Sequence, residues 1–249
     1  MSALEGRRVL VTGASSGIGE AVAQAATEAG ARVALLARRA ERVEALAGRL
    51  PGAVALVADV NDGPTVQAEV ERAAKALGGL DAVVNNAGIM LDGQPSETDP
   101  AFWQAMVDTN VLGLLNVTRA ATPFLLEAVG PSIVNVSSMG GRYVPLAGSG
   151  VYSATKHAVH ALGEALRLEL QVKGVRVTTF APGFVATDLT STWPEGRPLE
   201  RWKENARKGL SVEQAAAAVV HILSMPPEVT IIEYAVTATT QLPASVLRD

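Results

Sequence analysis

Cysteine is absent from the 249-residue chain, which excludes a disulfide framework, a thiolate metal site and a cysteine nucleophile. Charge of one sign is also scarce. Lys and Arg number 21 against 25 Asp and Glu, a net charge of -4, so the basic stripe that holds nucleic acid is missing. No block of like charges marks a tail or a membrane-surface helix. No apolar run approaches the ~20 residues that cross a bilayer. Histidine is confined to His157, His160 and His221. The first two fit one helix face, but no carboxylate stands beside them in a ligand pattern, so they read as ordinary helix residues and no metal is expected. Met1-Ser-Ala-Leu-Glu-Gly-Arg-Arg runs straight into an apolar segment without a signal-peptide pattern, and a cytoplasmic location is the expectation.

What is present is a rhythm. Short β-branched runs (8–12, 32–36, 53–57, 81–85, 132–136, 175–180 and 229–234) alternate with stretches of helical period near 17–29, 40–50, 63–77, 100–129, 152–173 and 211–224. Several runs are apolar throughout rather than alternating, as parallel strands covered on both faces are. The expectation is α/β: a single Rossmann-type, doubly wound, seven-stranded parallel sheet with helices on both faces, forming one domain over 1–249. The segment near 187–210 breaks the rhythm. It is polar, interrupted by Pro194, Gly196 and Pro198, and carries Trp193 and Trp202; it reads as a substrate lid or as a plain surface excursion.

The first strand ends in Thr12-Gly13-Ala14-Ser15-Ser16-Gly17-Ile18-Gly19, and a helix follows at once. Glycines there permit a tight turn and let backbone N–H groups approach a pyrophosphate, while the helix N-terminus adds partial positive charge. This loop resembles the cofactor loop of the short-chain dehydrogenase/reductase family. The resemblance continues in order through Asn85-Asn86-Ala87-Gly88, Asn110, Ser138, Tyr152-x-x-x-Lys156 and Pro182-Gly183 with Thr187, across essentially the whole chain.

The end of the second strand bears on the cofactor. NAD binders tend to carry an acidic residue there to meet the adenosine ribose, whereas this chain reads Leu36-Ala37-Arg38-Arg39. A guanidinium grips a phosphate through parallel hydrogen bonds, so Arg38 suits the 2′-phosphate of NADP(H). The resemblance adds Ser15 as a second contact, and Arg39 is a further candidate; two solvated arginines opening a helix are the plainer alternative. Asp59-Val60 follows the third strand. The resemblance gives this aspartate to the adenine amino group, and it also reads as a helix N-cap. Asn86, Ala87 and Gly88 lie where the adenosine half needs close backbone approach. Pro182, Gly183, Val185 and Thr187 follow the sixth strand, at the turn that holds the nicotinamide carboxamide in the family.

Tyr152 and Lys156 are four apart on a helix and share a face. Reducing a carbonyl needs a proton donor, and a phenol of pKa near 10 is sluggish at neutral pH. Bringing it to about 7 takes roughly 4 kcal/mol of anion stabilisation, which one cation at about 4 Å supplies at an effective dielectric of 20. Lys156 together with the oxidised nicotinamide is therefore expected to lower the Tyr152 pKa, and the resemblance implies that Lys156 also holds the nicotinamide ribose. Ser138 fits the family's substrate-polarising serine, with Ser137 satisfying a strand end. Ser138 to Tyr152 is fourteen residues, one more than the family usually shows, so an insertion is expected between Met139 and Val151. The resemblance makes Asn110 an anchor for a water that relays protons; as a bare residue it equally suits a solvent-facing position.

These residues imply an NADP(H)-dependent oxidoreductase interconverting a carbonyl and a primary or secondary alcohol. A catalytically silent NADP(H)-binding regulator or scaffold of the same fold is the alternative. Met90, Leu91, Tyr143, Val144 and Leu146 are candidate pocket walls, with Phe184, Leu189, Trp193 and Trp202, and suggest a small, largely apolar substrate. The resemblance also implies a homotetramer or homodimer through the long fourth and fifth helices, and neither a nucleic-acid nor a membrane partner is expected.

Overall fold

A computed structural model of the protein describes residues 3–145, 147–187, 189 and 207–241. Seven parallel strands form one sheet in the order β3-β2-β1-β4-β5-β6-β7. They are β1 Arg8–Thr12, β2 Arg32–Ala37, β3 Val54–Val57, β4 Ala82–Asn85, β5 Ser132–Val136, β6 Arg176–Pro182 and β7 Glu233–Val236. The order reverses between β1 and β4, which opens a crevice at the carboxyl ends of the strands. Helices are α1 Gly17–Glu28, α2 Ala40–Arg49, α3 Gly63–Leu77, α4 Pro100–Val107, α5 Gly113–Leu125, α6 Gly150–Leu170 and α7 Val212–Leu223.

Period-two alternation splits each central strand between two cores. Val9 and Val11 of β1 join Val33, Leu35 and Val84 under α1 and α7, while Leu10 joins Leu36, Val83 and Ile133 under α3 and α5. Both faces are dry, as the unbroken apolar runs require. Helix starts are equally local. Asp62 caps α3 by accepting from Thr65 N–H, Asp99 caps α4 ahead of Pro100, and Ser211 with Gln214 forms a capping box on α7. Asp59 is not a cap; its carboxylate accepts from Asn61 N–H at 3.0 Å in the preceding turn.

Arginines gather at the opposite edge of the sheet. Arg8 donates to Gly78 O, Arg32 to Leu77 O at 2.9 Å, and Arg176 to Leu223 O at 3.4 Å, so cations meet the carbonyl ends of α3 and α7. Asp81 is bound by the Arg8 backbone and side chain.

Two expectations are corrected. The helix expected over 100–129 is interrupted by a π-turn at Asp108–Leu112 and ends at Leu125. The widened turn carries Asn110 inward, a distortion that hydrophobic period does not reveal. The last strand begins at Glu233 rather than Val229, because pairing with β6 sets its register from Thr179↔Glu233 to Pro182↔Val236. The β-branched residues before it approach the sheet outside the ladder, with Ile232 and Val229 exposed.

Candidate active site

A cavity of about 550 Å³ lies at the carboxyl edge of the sheet, and the segment after every strand contributes to its wall. Gly13 follows β1, Arg38 β2, Asp59 β3, Asn86 β4, Ser138 β5, Gly183 β6 and Gln241 β7. The volume is in the range of small-molecule and cofactor sites. Strand order separates the arginine end, at β2 and β3, from the Tyr152 end, at β5 and β6.

The glycine loop is built for close approach. Gly13 and Gly17 adopt left-handed φ of 64° and 58°. A Cβ on Gly17 would sit 3.3 Å from Thr187 Cγ2, and one on Gly19 would collide with the Gly13 carbonyl and the Asn86 amide. Asn86 Nδ2 donates to Thr12 O at 2.9 Å, which ties β4 to the loop. Ser16 begins α1 without a side-chain cap, so first-turn N–H groups stay unspent at the cavity. Arg39, more than Arg38, engages the loop: it donates to Ser15 Oγ at 2.8 Å and to Ser16 Oγ at 2.6 Å. Arg38 faces Asp59 at 3.4 Å with both side chains substantially exposed, a weak pairing.

At the other end, Tyr152 and Lys156 stand one turn apart on α6 and are both buried. Lys156 Nζ lies over the Tyr152 ring, 5.8 Å from its centroid, and donates to Val136 O at 2.9 Å. Ser138 hydrogen-bonds the Tyr152 side chain and accepts from Gly140 N–H at 2.9 Å. Ser137 is turned away and donates to Lys156 O at 3.0 Å, so the serine pair divides between the phenol and the helix backbone. Asn110 is buried rather than solvent-facing; it donates to Ile89 O at 2.9 Å and Thr155 Oγ1 at 3.0 Å, and accepts from Ile89 N–H at 2.8 Å. Gly88 lets this group assemble, since a Cβ there would lie 3.3 Å from Asn110 Oδ1 and 3.5 Å from Lys156 Nζ.

Burial sets the electrostatics of the cofactor-free site. Burial pushes the Tyr152 phenol up to about 12, only partly opposed by the Ser138 hydrogen bond. Burial likewise pulls Lys156 down to about 8. Desolvation penalises both charged forms, so the phenol of the cofactor-free protein keeps its proton through neutral pH.

Val60, Ala87, Ile18, Pro182 and Val185 also line the cavity, as do Met90, Leu91, Tyr143, Phe184 and Leu189. Val144 is exposed. Leu146, Trp193 and Trp202, and most of the expected lid, lie outside the described residues. The loop Met139–Val151, where one extra residue is expected, contains a short 3₁₀ turn at Met139–Gly141 and another at Ala147–Ser149. Gln241 was not foreseen: a polar residue in a Thr-rich stretch beyond the last strand carries no motif. Among the described residues no three His, Cys, Asp or Glu side chains cluster as a metal site requires. No described helix is long and apolar enough to cross a membrane.

The family model for short chain dehydrogenases matches residues 7–198. The chain belongs to the short-chain dehydrogenase/reductase family. This short-chain dehydrogenase is 36% identical over 238 residues to an uncharacterized oxidoreductase of Staphylococcus aureus strain MRSA252, covering 95% of this chain and 99% of the relative. It superposes with a TM-score of 0.85 on the 3-ketoacyl-(acyl-carrier-protein) reductase of Brucella melitensis complexed with NADH, at 30% identity over 96% of this chain and 100% of that one. With a short chain dehydrogenase of Burkholderia cenocepacia J2315 in complex with NADP the TM-score is 0.84, at 29% identity, over 96% and 100%. The family's activity is that of an oxidoreductase, and either nicotinamide dinucleotide occurs in its frame.

Proposed function

We propose that the protein is an NADP(H)-dependent reductase of small, largely apolar carbonyl compounds, acting also as the reverse alcohol dehydrogenase. The observation that carries this reading is the buried Tyr152 phenol, hydrogen-bonded to Ser138 and facing a cavity that ends in Arg38 and Arg39. The residues present fit a dinucleotide: the glycine turn admits backbone approach, α1 offers free N–H groups, and Gly88 keeps the space beside Lys156 clear.

NADPH, if held along the glycine turn and beside Lys156, would supply the hydride for the carbonyl carbon. Ser138 donates a hydrogen bond to the carbonyl oxygen and polarises it. Tyr152 Oη transfers its proton to the same oxygen as negative charge develops there, giving the alcohol. A phenol that stays protonated at neutral pH is the correct starting state for this direction. Lys156, held by Val136 O, keeps a positive charge beside the ring and favours the phenolate left behind. The oxidative direction needs that phenolate as base, so it is favoured at higher pH.

NADP over NAD rests on the two arginines and the absence of a carboxylate at the end of β2. Met90, Leu91, Tyr143, Phe184 and Leu189 support an apolar substrate. Exposed Phe102 on α4, Leu112 in the π-turn, Leu126 at the end of α5 and Leu168 on α6 support a homo-oligomer through these helices.

The test is a panel of aldehydes and ketones with NADPH oxidation followed by absorbance, for wild type and Tyr152→Phe. Turnover is expected to fall by roughly 10²–10⁴-fold, with the NADPH dissociation constant unchanged. Equal turnover by the two proteins removes the assignment.

A further inference from the structure

Gln241 closes the cavity from an unexpected direction. It lies five residues beyond the end of β7, yet its Oε1 accepts the Phe184 N–H at 2.9 Å, in the turn after β6. The fit is tight, because a Cβ on Gly183 would collide with Gln241 Oε1 and lie 3.0 Å from Thr237 Cγ2. The same segment reaches a second strand of chain: Thr240 Oγ1 donates to Lys208 O. Two residues on is Leu210, whose N–H donates to Phe184 O at 2.8 Å and whose carbonyl accepts from Ala186 N–H at 3.0 Å. Residues 237–241 therefore hold two segments at once, the Gly183–Ala186 turn after β6 and the Lys208–Leu210 segment bonded to it. Gly183 N–H is already committed to Val236 O at 2.7 Å, so the Phe184 N–H is the next backbone donor of the turn, and it depends on a side chain rather than on the sheet.

We propose that Gln241 is a positioning residue for the oxidoreductase reaction, acting through its side-chain carbonyl on the Pro182–Val185 turn that flanks the Tyr152 end of the cavity. The inference rests on the reading given under Proposed function. An acceptor on the Phe184 N–H fixes the plane of the Gly183–Phe184 peptide, and with it the wall against which a nicotinamide ring would lie. A turn one ångström out of place costs catalysis far more than it costs binding of the remote adenosine half. Glu keeps the acceptor in the same place; Met keeps the length and loses it.

Hydrogen exchange of the cofactor-free protein, read on the peptide containing Phe184, tests the anchoring directly. Protection of that amide is expected to drop about tenfold or more in Gln241→Met and to persist in Gln241→Glu. Turnover of NADPH on a carbonyl reduced by wild type is expected to fall about tenfold in Gln241→Met, with a larger primary isotope effect from 4-deuterated NADPH and an unchanged dissociation constant. Gln241→Glu is expected to restore both. Unchanged exchange in Gln241→Met overturns the inference; so does faster exchange with unchanged turnover, and so does equal impairment of both variants. A wild type that oxidises no NADPH with any carbonyl removes the oxidoreductase reading and the reactive half of this inference, while the exchange measurement still decides the anchoring.

Discussion

Lys156 donates to the Val136 carbonyl at 2.9 Å, so the amine of α6 hangs from the last residue of β5 while its neighbour Tyr152 is held by Ser138. The two groups carry opposite pH signatures. Burial lowers Lys156 to about 8 from its ordinary 10.5, so between these values the unfolded chain holds a proton that the native protein has released. Stability therefore rises with pH across that window, by up to about 3 kcal/mol. Tyr152 acts in reverse: its native phenol keeps a proton up to about 12 while the unfolded one loses it near 10, so its contribution is lost above pH 10. Urea denaturation of the cofactor-free protein between pH 7.5 and about 10 should show the rise in wild type and its absence in Lys156→Met. Parallel curves would mean the amine is solvated.

Asn110 spends its whole amide on its neighbours, serving both polar groups of the Ile89 backbone and Thr155. Asn110→Leu leaves the Ile89 N–H and C=O without partners in a partly buried place, at a cost of roughly 1–3 kcal/mol. Asn110→Asp retains the acceptor for Ile89 N–H and should lose less. Chemical denaturation of the three proteins orders them; a Leu variant as stable as wild type would place water, not Asn110, on that backbone.

The sheet was legible because its determinants are local. Val9, Leu10 and Val11 are apolar on consecutive positions, and only a strand dry on both faces uses such a run. The loop Gly13–Gly19 and the pair Tyr152 and Lys156 were legible because turn sterics and helix spacing fix them over a few residues. Three features depended on partners distant in sequence. The start of β7 is set by its register on β6, the inward turn of Asn110 by a π-turn whose reward is the Ile89 backbone, and Gln241 by a contact with Phe184 across 57 residues. The pKa of Tyr152 in the cofactor-free protein is not legible for a related reason: helix spacing gives the distance to a cation but not the depth of burial, and burial sets the direction here.

Arg39 holds two loop serines while Arg38 holds only an exposed aspartate, so the two should contribute unequally to cofactor choice. Arg39 is preorganised beside the glycine turn, and its removal also frees Ser15 and Ser16. Arg39→Ala is expected to weaken NADPH binding by about 10–100-fold with little effect on NADH, and Arg38→Ala by a smaller factor. Titration of both cofactors into each variant and the double variant reads the preference directly. A double variant that still prefers NADPH would assign the 2′-phosphate to other donors.

Asp81 sits at the far edge of the sheet from the cavity, bound by Arg8 at 2.6 Å and close to Arg7. Burial alone would raise its carboxyl, but the hydrogen bonds and charge of Arg8, with the charge of Arg7, hold it below the ordinary 3.8. A lowered native pKa means the stabilisation is complete above 3.8 and drains away as pH falls beneath it. Asp81→Asn removes the counter-charge from Arg7 and Arg8, with an expected cost of about 1–3 kcal/mol at pH 7 given that the pair is partly solvated. The variant should also lose less stability than wild type between pH 4 and about 2.5. Because the pair is remote from Gly13 and Tyr152, the NADPH affinity of the folded variant should equal that of wild type, and a change in affinity would show that this edge of the sheet communicates with the crevice.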